Sequence, residues 1–255
     1  DQRVGPREPS RRAACPVMTE IFRAGRVAVI TGGASGIGFG VAKKCVEIDM
    51  KVVISDINSK ELAHAHRKLK DLGRGEVMAI QCDVTKLLSV WDLKDKVYKI
   101  WGEVAFLFNN AGLSGGWSTY NTTKSEWDLV LGVNLTGVIN GLSAFVPSMV
   151  KQKTRCCVIN TSSVSGLVGA NSLPFTGAPY IVSKTAVTAL TECLSVELRA
   201  KKANVTAHVL MPGMIKTGIL ENSERAGTTN RRNTTNSQIF HTHSPPPSRI
   251  PHARF

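Results

Sequence analysis

Tyr180 and Lys184 stand four residues apart at the start of an apolar, helix-like stretch, and Ser183 lies beside the lysine. On a helix this spacing places both side chains on one face. A phenol is a poor base at neutral pH, since its reference pKa is about 10, but a nearby cation favours the phenolate and lowers that pKa. The pair therefore indicates a tyrosine that exchanges a proton with a substrate. The structural alternative is a packing tyrosine beside a solvated lysine.

A glycine cluster near the start of the chain has the composition of a phosphate-binding turn. The turn from Thr31 to Gly38 follows the apolar run RVAVIT and precedes the helix-like stretch FGVAKKCVEI. Glycines let the backbone approach a pyrophosphate closely, and the first amides of the helix offer free N–H groups. This order of strand, turn and helix is typical of a dinucleotide site, with a turn that binds no ligand as the alternative. The predicted cofactor contacts in the turn are Gly32, Ser35, Gly36, Ile37 and Gly38.

Asp56 ends the second apolar run, about twenty residues after the turn. A carboxylate at that point accepts both ribose hydroxyls of an adenosine and repels the additional phosphate of NADP. Because no Arg or Lys lies in the glycine turn to offset this repulsion, the sequence favours NAD over NADP. The alternative for Asp56 is an ordinary turn or helix-capping residue.

Short apolar runs alternate with helix-like stretches six times between residues 25 and 220. The runs lack inside–outside alternation, which is typical of parallel strands covered by helices on both faces. This pattern predicts an α/β fold of three layers, an open, doubly wound parallel sheet of the Rossmann type. The expected strand order is 3-2-1-4-5-6, and a long helix is expected over residues 125–149.

The composition argues against several other classes of protein. The chain has 255 residues, of which 42% are hydrophobic, and no apolar run is long enough to span a membrane. Its six Cys show no CxxC spacing, so buried thiols in a cytoplasmic location are predicted, with no metal site. The net charge of +13 is spread over helix-like stretches and both ends, without the aromatic and basic interleaving of a nucleic-acid binder.

Both ends differ in composition from the middle. Residues 1–19 contain four Arg and lack periodicity, and residues 221–255 are rich in Ser, Thr, Asn, Pro and Arg. Such segments bury too little apolar surface to offset the entropy of ordering. We therefore predict a disordered arm over 1–19, a dinucleotide-binding and catalytic domain over 20–220, and a disordered tail over 221–255.

Taken together, the motifs resemble those of the short-chain dehydrogenase/reductase family, in the family's order and over about residues 25–220. The matching motifs are the glycine turn, CDVT with Asp83, NNAG from Asn109 to Gly112, GVNLTGV with Asn134, NTSSVSG with Ser163, Tyr180-x-x-x-Lys184, and PGMIKT from Pro212 to Thr217.

The resemblance implies a role for each matching residue. Asn134, Ser163, Tyr180 and Lys184 match the family's catalytic tetrad, and Ser163 is preferred to Ser162 because it stands two residues before the Ser-Gly of its motif. The further cofactor contacts that the resemblance implies are Asp83 and Val84 along the adenine, Asn110, Ala111 and Gly112 at the fourth strand, Tyr180 and Lys184, and Pro212, Gly213, Ile215 and Thr217 at the nicotinamide end.

The implied reaction interconverts a secondary alcohol and its ketone, with hydride transfer to or from NAD. Tyr180 would act as general base in oxidation and general acid in reduction. Ser163 would hydrogen-bond to the substrate oxygen where charge develops, and Asn134 would hold a water that passes the proton outward from Lys184.

Two features depart from the family pattern. Seventeen positions separate Ser163 from Tyr180, a few more than usual, and the extra segment NSLPFTG is expected to form a loop at the substrate entrance. After PGMIKTGIL the family continues with a substrate lid and a seventh strand, whereas this chain enters its polar tail. An atypical or truncated C-terminus without the seventh strand is therefore predicted. The alternative function is a catalytically weak NAD-binding or interaction protein that has lost its lid.

The substrate class and the assembly follow from the same resemblance. The expected partners are a small apolar alcohol or ketone and a second copy of the chain, with no nucleic acid. A dimer is expected through two long helices, because the family's other interface uses the last strand. Their apolar positions include Leu131, Val138, Leu142, Val187, Leu190 and Leu194. The candidate pocket residues are Leu113, Ser114, Trp117, Leu167, Phe175 and Met214.

Overall fold

The computed structural model describes residues 16–116, 118–168, 177–215 and 217–228. Its strands are β1 (Val27–Thr31), β2 (Lys51–Asp56), β3 (Val77–Gln81), β4 (Phe106–Asn109), β5 (Cys156–Thr161) and β6 (Val205–Leu210). They form one parallel sheet in the order β3-β2-β1-β4-β5-β6, which confirms the predicted order. Within the described ranges no seventh strand is seen, and β6 forms an edge of the sheet.

Helices cover both faces of this sheet. They are α1 (Pro16–Ile21), α2 (Gly36–Glu47), α3 (Ser59–Lys70), α4 (Leu87–Trp101), α5 (Lys124–Leu131), α6 (Gly137–Lys151), α7 (Ser165–Val168), α8 (Ala178–Ala200) and α9 (Ile219–Arg225). One core packs α4, α6 and α8 against the sheet, and a second core packs α2 and α3 against the opposite face. Val27 and Val29 of β1 join the first core, whereas Ala28 and Ile30 join the second. Successive residues of β1 therefore point alternately into the two cores, as expected of the three-layer fold.

Strand β1 lies where the winding of the sheet reverses, because it pairs with β2 on one side and with β4 on the other. In open α/β sheets, ligands bind in the crevice outside the carboxyl ends of the strands at this point. Thr31 ends β1 and Asn109 ends β4, so the segments that follow these two residues form the walls of the crevice.

The long helix expected over residues 125–149 is interrupted. Helix α5 passes into a π-helical turn, Gly132–Thr136, before α6 begins. Two glycines of α6 lie close to the sheet: a Cβ on Gly137 would be 2.7 Å from the Val84 side chain, and one on Gly141 would overlap the Asn109 amide. Single π-turns inside α-helices are rare and are frequent at functional sites.

The same segment, Lys124–Lys151, is long and apolar enough by length and composition to cross a membrane, but half of its apolar window is buried inside the fold. Phe145 and Met149 are completely buried in the first core. The segment therefore has the packing of a core helix.

The helix residues predicted to face a second copy need correction. Val138 and Val187 are buried in the chain's own fold, and Leu142 and Leu194 pack against the first core. These four side chains therefore pack within the chain's own fold, as expected for the inward-facing stripe of an amphipathic helix. The large apolar side chains that α6 and α8 expose are Ile139, Val182 and Val196.

Helices α1 and α9 extend past the predicted limits of the domain. Ile21 of α1 is buried in the second core, and the adjacent Phe22 packs edge-on against Phe106 with ring centres 4.9 Å apart. Ser223 of α9 is 2% exposed. Residues 16–19 and 221–225 are therefore helical rather than parts of a disordered arm and tail, whereas residues 1–15 and 229–255 lie outside the described residues.

Candidate active site

The glycine turn leads from β1 into α2 beside the residues that follow β4. Gly32 and Gly36 have φ angles of 62° and 53°, a region that favours glycine. A Cβ on Gly32 would lie 2.8 Å from the Ala111 Cα, and one on Gly38 would overlap the Gly32 carbonyl oxygen. The turn is therefore built of positions at which a side chain does not fit, and it ends at the N-terminus of a helix, where anions are stabilised.

Asp56 lies at the carboxyl end of β2, next to this turn. Its carboxylate accepts hydrogen bonds from the backbone amides of Ala34, at 3.4 Å, and Asn58, at 3.1 Å. Burial raises the pKa of Asp56, and these amides act in the opposite direction. The cap of α3 is Asn58, whose side chain accepts from the amides of Lys60 and Glu61. Asp56 is thus not the helix cap, and its carboxylate contacts the glycine turn.

Thr31 joins the turn to the segment after β4. Its hydroxyl accepts hydrogen bonds from the amides of Asn110 and Ala111 at 3.0 and 3.2 Å. The Asn110 side chain donates to the carbonyl oxygens of Thr31 and Gly32 at 3.2 and 3.3 Å. The structure therefore brings the glycine turn and the NNAG motif together as two walls of one crevice.

The remaining predicted cofactor residues lie around this crevice. After β3, the Asp83 carboxylate accepts from the amide and hydroxyl of Thr85 at 3.0 and 2.7 Å, and Val84 is 8% exposed. After β6, the Pro212 carbonyl oxygen accepts from the Val164 amide at 3.1 Å. Asp83 thus fixes a turn after β3, and Pro212 fixes the start of the segment after β6.

That segment returns to the glycine turn. A Cβ on Gly36 would lie 3.3 Å from the Thr217 Cβ, so Thr217 lies directly over the turn. Gly213 has open space where a side chain would be, and Ile215 is 55% exposed. Of the predicted residues after β6, Thr217 is the one that the structure places against the glycine turn.

Tyr180 and Lys184 lie in the first two turns of α8 and face the end of β5. The Lys184 Nζ lies 5.6 Å from the centre of the Tyr180 ring and donates a 2.8 Å hydrogen bond to the Thr161 carbonyl oxygen. The Ser163 side chain hydrogen-bonds to that of Tyr180. Three of the four predicted catalytic side chains therefore meet at one point.

The pKa shifts of this group differ from the expectation that the lysine lowers the pKa of the tyrosine. Burial raises the pKa of Tyr180, with the Ser163 hydrogen bond acting in the opposite direction. Burial lowers the pKa of Lys184 from 10.5 to about 8. Desolvation disfavours the charged form of both groups, and it is the largest cause of both shifts. In the chain alone, Tyr180 therefore holds its proton at neutral pH, which is the state of a general acid.

Asn134 lies in the π-helical turn and is completely buried. Its Oδ1 accepts from the Leu113 amide at 2.7 Å, and its Nδ2 donates to the Leu113 carbonyl oxygen at 2.9 Å and to the Ser183 hydroxyl at 3.0 Å. A Cβ on Gly112 would lie 3.4 Å from both Asn134 Oδ1 and Lys184 Nζ. Both protons of Nδ2 are used, so the side chain could hold the expected relay water only as an acceptor, and its hydrogen bonds join the π-turn to α8 beside Lys184.

The two neighbouring serines have different roles. The Ser162 hydroxyl donates to the Lys184 carbonyl oxygen at 2.7 Å and lies 2.8 Å from the Thr188 hydroxyl. Ser162 therefore ties the end of β5 to the backbone of α8. Ser163 is the serine that contacts Tyr180, so the structure supports the preferred assignment over the fallback.

The predicted pocket residues do not form one group. Leu113 is half-buried, Leu167 and Met214 are largely exposed, and Trp117 and Phe175 lie outside the described residues, as does most of the NSLPFTG segment. The prediction that Ser114 lines a substrate pocket needs correction, because Ser114 is 5% exposed and its amide donates to the Ser223 hydroxyl at 2.8 Å. It is covered by α9, a helix that sequence reasoning missed because its sequence is short and polar. Within the described ranges, no group of three or more His, Cys, Asp or Glu could hold a metal ion.

A doubly wound parallel sheet with a glycine turn at the point where its winding reverses defines a dinucleotide-binding α/β protein. The family model described as short chain dehydrogenase matches residues 26–227. The chain therefore belongs to the short-chain dehydrogenase/reductase family, a family of oxidoreductases that use a nicotinamide cofactor.

Individual relatives show the same likeness. A "CLA biosynthesis dehydrogenase/reductase" of Lactiplantibacillus plantarum is 29% identical over 194 residues, which are 76% of this chain and 66% of that protein. An "NADP-dependent (R)-specific alcohol dehydrogenase" of Lentilactobacillus kefiri is 33% identical over 203 residues, 79% of this chain and 78% of that protein. A short-chain dehydrogenase/reductase from Burkholderia phymatum, solved in complex with NAD, superposes with a TM-score of 0.76 at 36% identity, over 80% of this chain and 70% of that one.

Proposed function

We propose that the chain is an oxidoreductase that interconverts a small apolar secondary alcohol and its ketone, with NAD as cofactor. The observation that carries the proposal is the meeting of Tyr180, Ser163 and Lys184 at the carboxyl end of β5. This group lies beside Gly112, on the wall of the crevice formed by the NNAG motif. In this proposal, the group exchanges the proton at the end of the crevice where the nicotinamide would lie.

The residues present fit a dinucleotide. Gly32 and Gly38 leave the turn without side chains, and α2 presents its N-terminus there. Relatives are named with either cofactor, as NADP-dependent in one case and as an NAD complex in another. Asp56 supports NAD here, because its carboxylate lies against the turn and would repel a phosphate on the adenosine ribose.

A bound nicotinamide would supply the hydride in reduction and accept it in oxidation. In reduction, Tyr180 would donate its phenolic proton to the ketone oxygen, and Ser163 would hydrogen-bond to the same oxygen as charge develops there. Lys184 would stabilise the phenolate through its position beside the ring. Asn134 would hold Leu113 and α8 in place around this group. In oxidation the same residues would move the proton in the opposite direction.

Two further features belong to the proposal. A homodimer would pair α5, α6 and α8 with their copies, and it is supported by the exposed apolar residues Ile139, Val182 and Val196.

A cytoplasmic location is supported by the thiols of the described residues, which are all free, with four of the five buried.

The test is an assay of NAD and NADP reduction with a panel of apolar secondary alcohols. We expect at least one alcohol to be oxidised with NAD, and Ser163→Ala to lower the rate by roughly a hundredfold, the cost of removing one oxygen-binding donor. Ser125→Ala, which changes an exposed serine of α5, is the matched control and should leave the rate unchanged. Tight NAD binding without turnover of any alcohol or ketone would instead support the alternative of a catalytically weak NAD-binding or interaction protein.

A further inference from the structure

Helix α9 connects the two walls of the crevice. On one side, the Ser223 hydroxyl accepts a 2.8 Å hydrogen bond from the amide of Ser114, which lies shortly after β4. On the other side, the Asn222 side chain donates to the hydroxyl of Ser35, in the glycine turn after β1, at 3.4 Å. Because β1 and β4 are neighbours in the sheet, α9 lies across the crevice between their carboxyl ends.

Helix α9 is packed more closely on the side of β4 than on the side of the glycine turn. Ser223 and Thr228 are 2% and 6% exposed, and a Cβ on Gly115 would lie 2.5 Å from the Thr228 Cβ. The β4 side of α9 is therefore closely packed. The side facing the glycine turn rests on the Asn222–Ser35 hydrogen bond, which is long for its type, and on Thr217 near Gly36.

Ser35 is the residue that an anion at the start of α2 would meet. It has the extended backbone of an N-cap, yet its side chain makes no capping hydrogen bond to the helix. A phosphate bound by the first amides of α2 would lie next to this hydroxyl. The Asn222 Nδ2 carries two protons, so it has a second donor in addition to the one given to Ser35.

We propose that Asn222 is a cofactor-binding residue whose side-chain amide donates to the pyrophosphate of the dinucleotide held at the N-terminus of α2. The inference rests on the proposed function, since it requires a dinucleotide in the crevice. It adds a contact outside the glycine turn, and it makes α9 the element that closes over the phosphates. An amide suits this place, because it donates to an anion without introducing a charge of its own.

The test compares ligands with and without the pyrophosphate by titration calorimetry. Asn222→Ala should weaken NAD and ADP-ribose about tenfold, as expected for a lost hydrogen bond to a charged group, and leave adenosine unchanged. Asn222→Asp should weaken both further, because a carboxylate would face the phosphates. Asn222→Gln, which keeps the amide, should recover part of the affinity. Glu224→Ala, at an exposed position of the same helix, should change none of these affinities.

Three results would overturn the inference. Unchanged ADP-ribose affinity in Asn222→Ala would show that the amide does not meet the pyrophosphate. Tighter binding in that variant would show that Asn222 blocks the site, and an equal loss for adenosine would show a general effect on α9. In each case wild-type protein still binds NAD, so the proposed function stands. A wild-type chain that binds no NAD would contradict both.

Discussion

The ammonium group of Lys184 lies 5.6 Å from the centre of the Tyr180 ring but gives its hydrogen bond to the Thr161 carbonyl oxygen, 2.8 Å away. The end of β5, rather than the tyrosine, therefore fixes the position of the lysine. Lys184 is 3% exposed, and burial lowers its pKa to about 8. Keeping this lysine charged in the folded state therefore has a free-energy cost of desolvation.

That cost predicts how Lys184→Met changes stability with pH. Because the folded pKa lies below the unfolded one, the native state loses its proton first as the pH rises. The wild-type free energy of unfolding should therefore increase relative to that of the variant as the pH rises through the folded pKa of about 8 toward 10.5. The relative change should be roughly 3 kcal/mol, from about 1.4 kcal/mol per pKa unit. Denaturant unfolding of both proteins across this pH range measures it.

Lys68→Met, which replaces an exposed lysine of α3, is the control for this prediction. It should show no comparable pH dependence relative to wild type. A flat difference between wild type and Lys184→Met would mean that the buried lysine keeps an ordinary pKa.

The glycine turn gives a prediction with a control in the same helix. Gly38→Ala should destabilise the chain by about 1–3 kcal/mol, because its Cβ would overlap the Gly32 carbonyl oxygen and lie 2.7 Å from the Asn110 Nδ2. Gly40→Ala should stabilise it by about 0.5–1 kcal/mol, since no atom lies within 4 Å and alanine favours the helix. Thermal or denaturant unfolding measures the stability of both variants. Equal effects of the two substitutions would contradict the packing described for the turn.

Cofactor preference tests the role of Asp56. Wild type should bind NAD more tightly than NADP, and Asp56→Ala should reduce this preference by about tenfold, because the carboxylate that repels the ribose phosphate is removed. Titration calorimetry with both cofactors measures the ratio. Tighter NADP binding by wild type would show that Asp56 does not face the adenosine ribose.

The proposed dimer depends on the exposed apolar residues of α6 and α8. Val196 is 58% exposed, and Val196→Lys should convert a dimer into a monomer by placing charges across the two-fold contact. Ile100→Lys, at a position 57% exposed on α4, should leave the dimer intact. Light scattering after gel filtration reports the mass. A wild-type monomer would show that this helix pair is not enough alone, and a stable tetramer would show that the chain has a second interface.

The sequence predicted the sheet correctly because regular alternation of apolar runs and helices indicates a parallel doubly wound sheet, and the glycine turn after the first strand indicates the Rossmann type with its strand order. The glycine turn and the NNAG motif follow two of these strands, and they lie together because parallel strands end at one edge of the sheet. Asn110 and Thr31, for example, stand 79 positions apart yet hydrogen-bond at the adjacent ends of β4 and β1.

The remaining features depend on contacts that spacing does not encode. The π-turn contains Asn134, whose side chain hydrogen-bonds to Leu113 and Ser183 in distant parts of the chain. The raised pKa of Tyr180 follows from burial, whereas its spacing from Lys184 suggested a lowered one. Helix α9 is too short and polar to show periodicity, and it is held by tertiary contacts such as the one between Ser114 and Ser223.

The central claim is that Tyr180 exchanges a proton with an alcohol or ketone while a nicotinamide exchanges the hydride. The most direct measurement compares wild type with Tyr180→Phe, using an alcohol that wild type oxidises, and follows both cofactor reduction and NAD affinity. We predict that the variant loses turnover and binds NAD nearly as tightly as wild type, because only the transferable proton is removed. Turnover retained in Tyr180→Phe would contradict the assignment of Tyr180 as the acid and base.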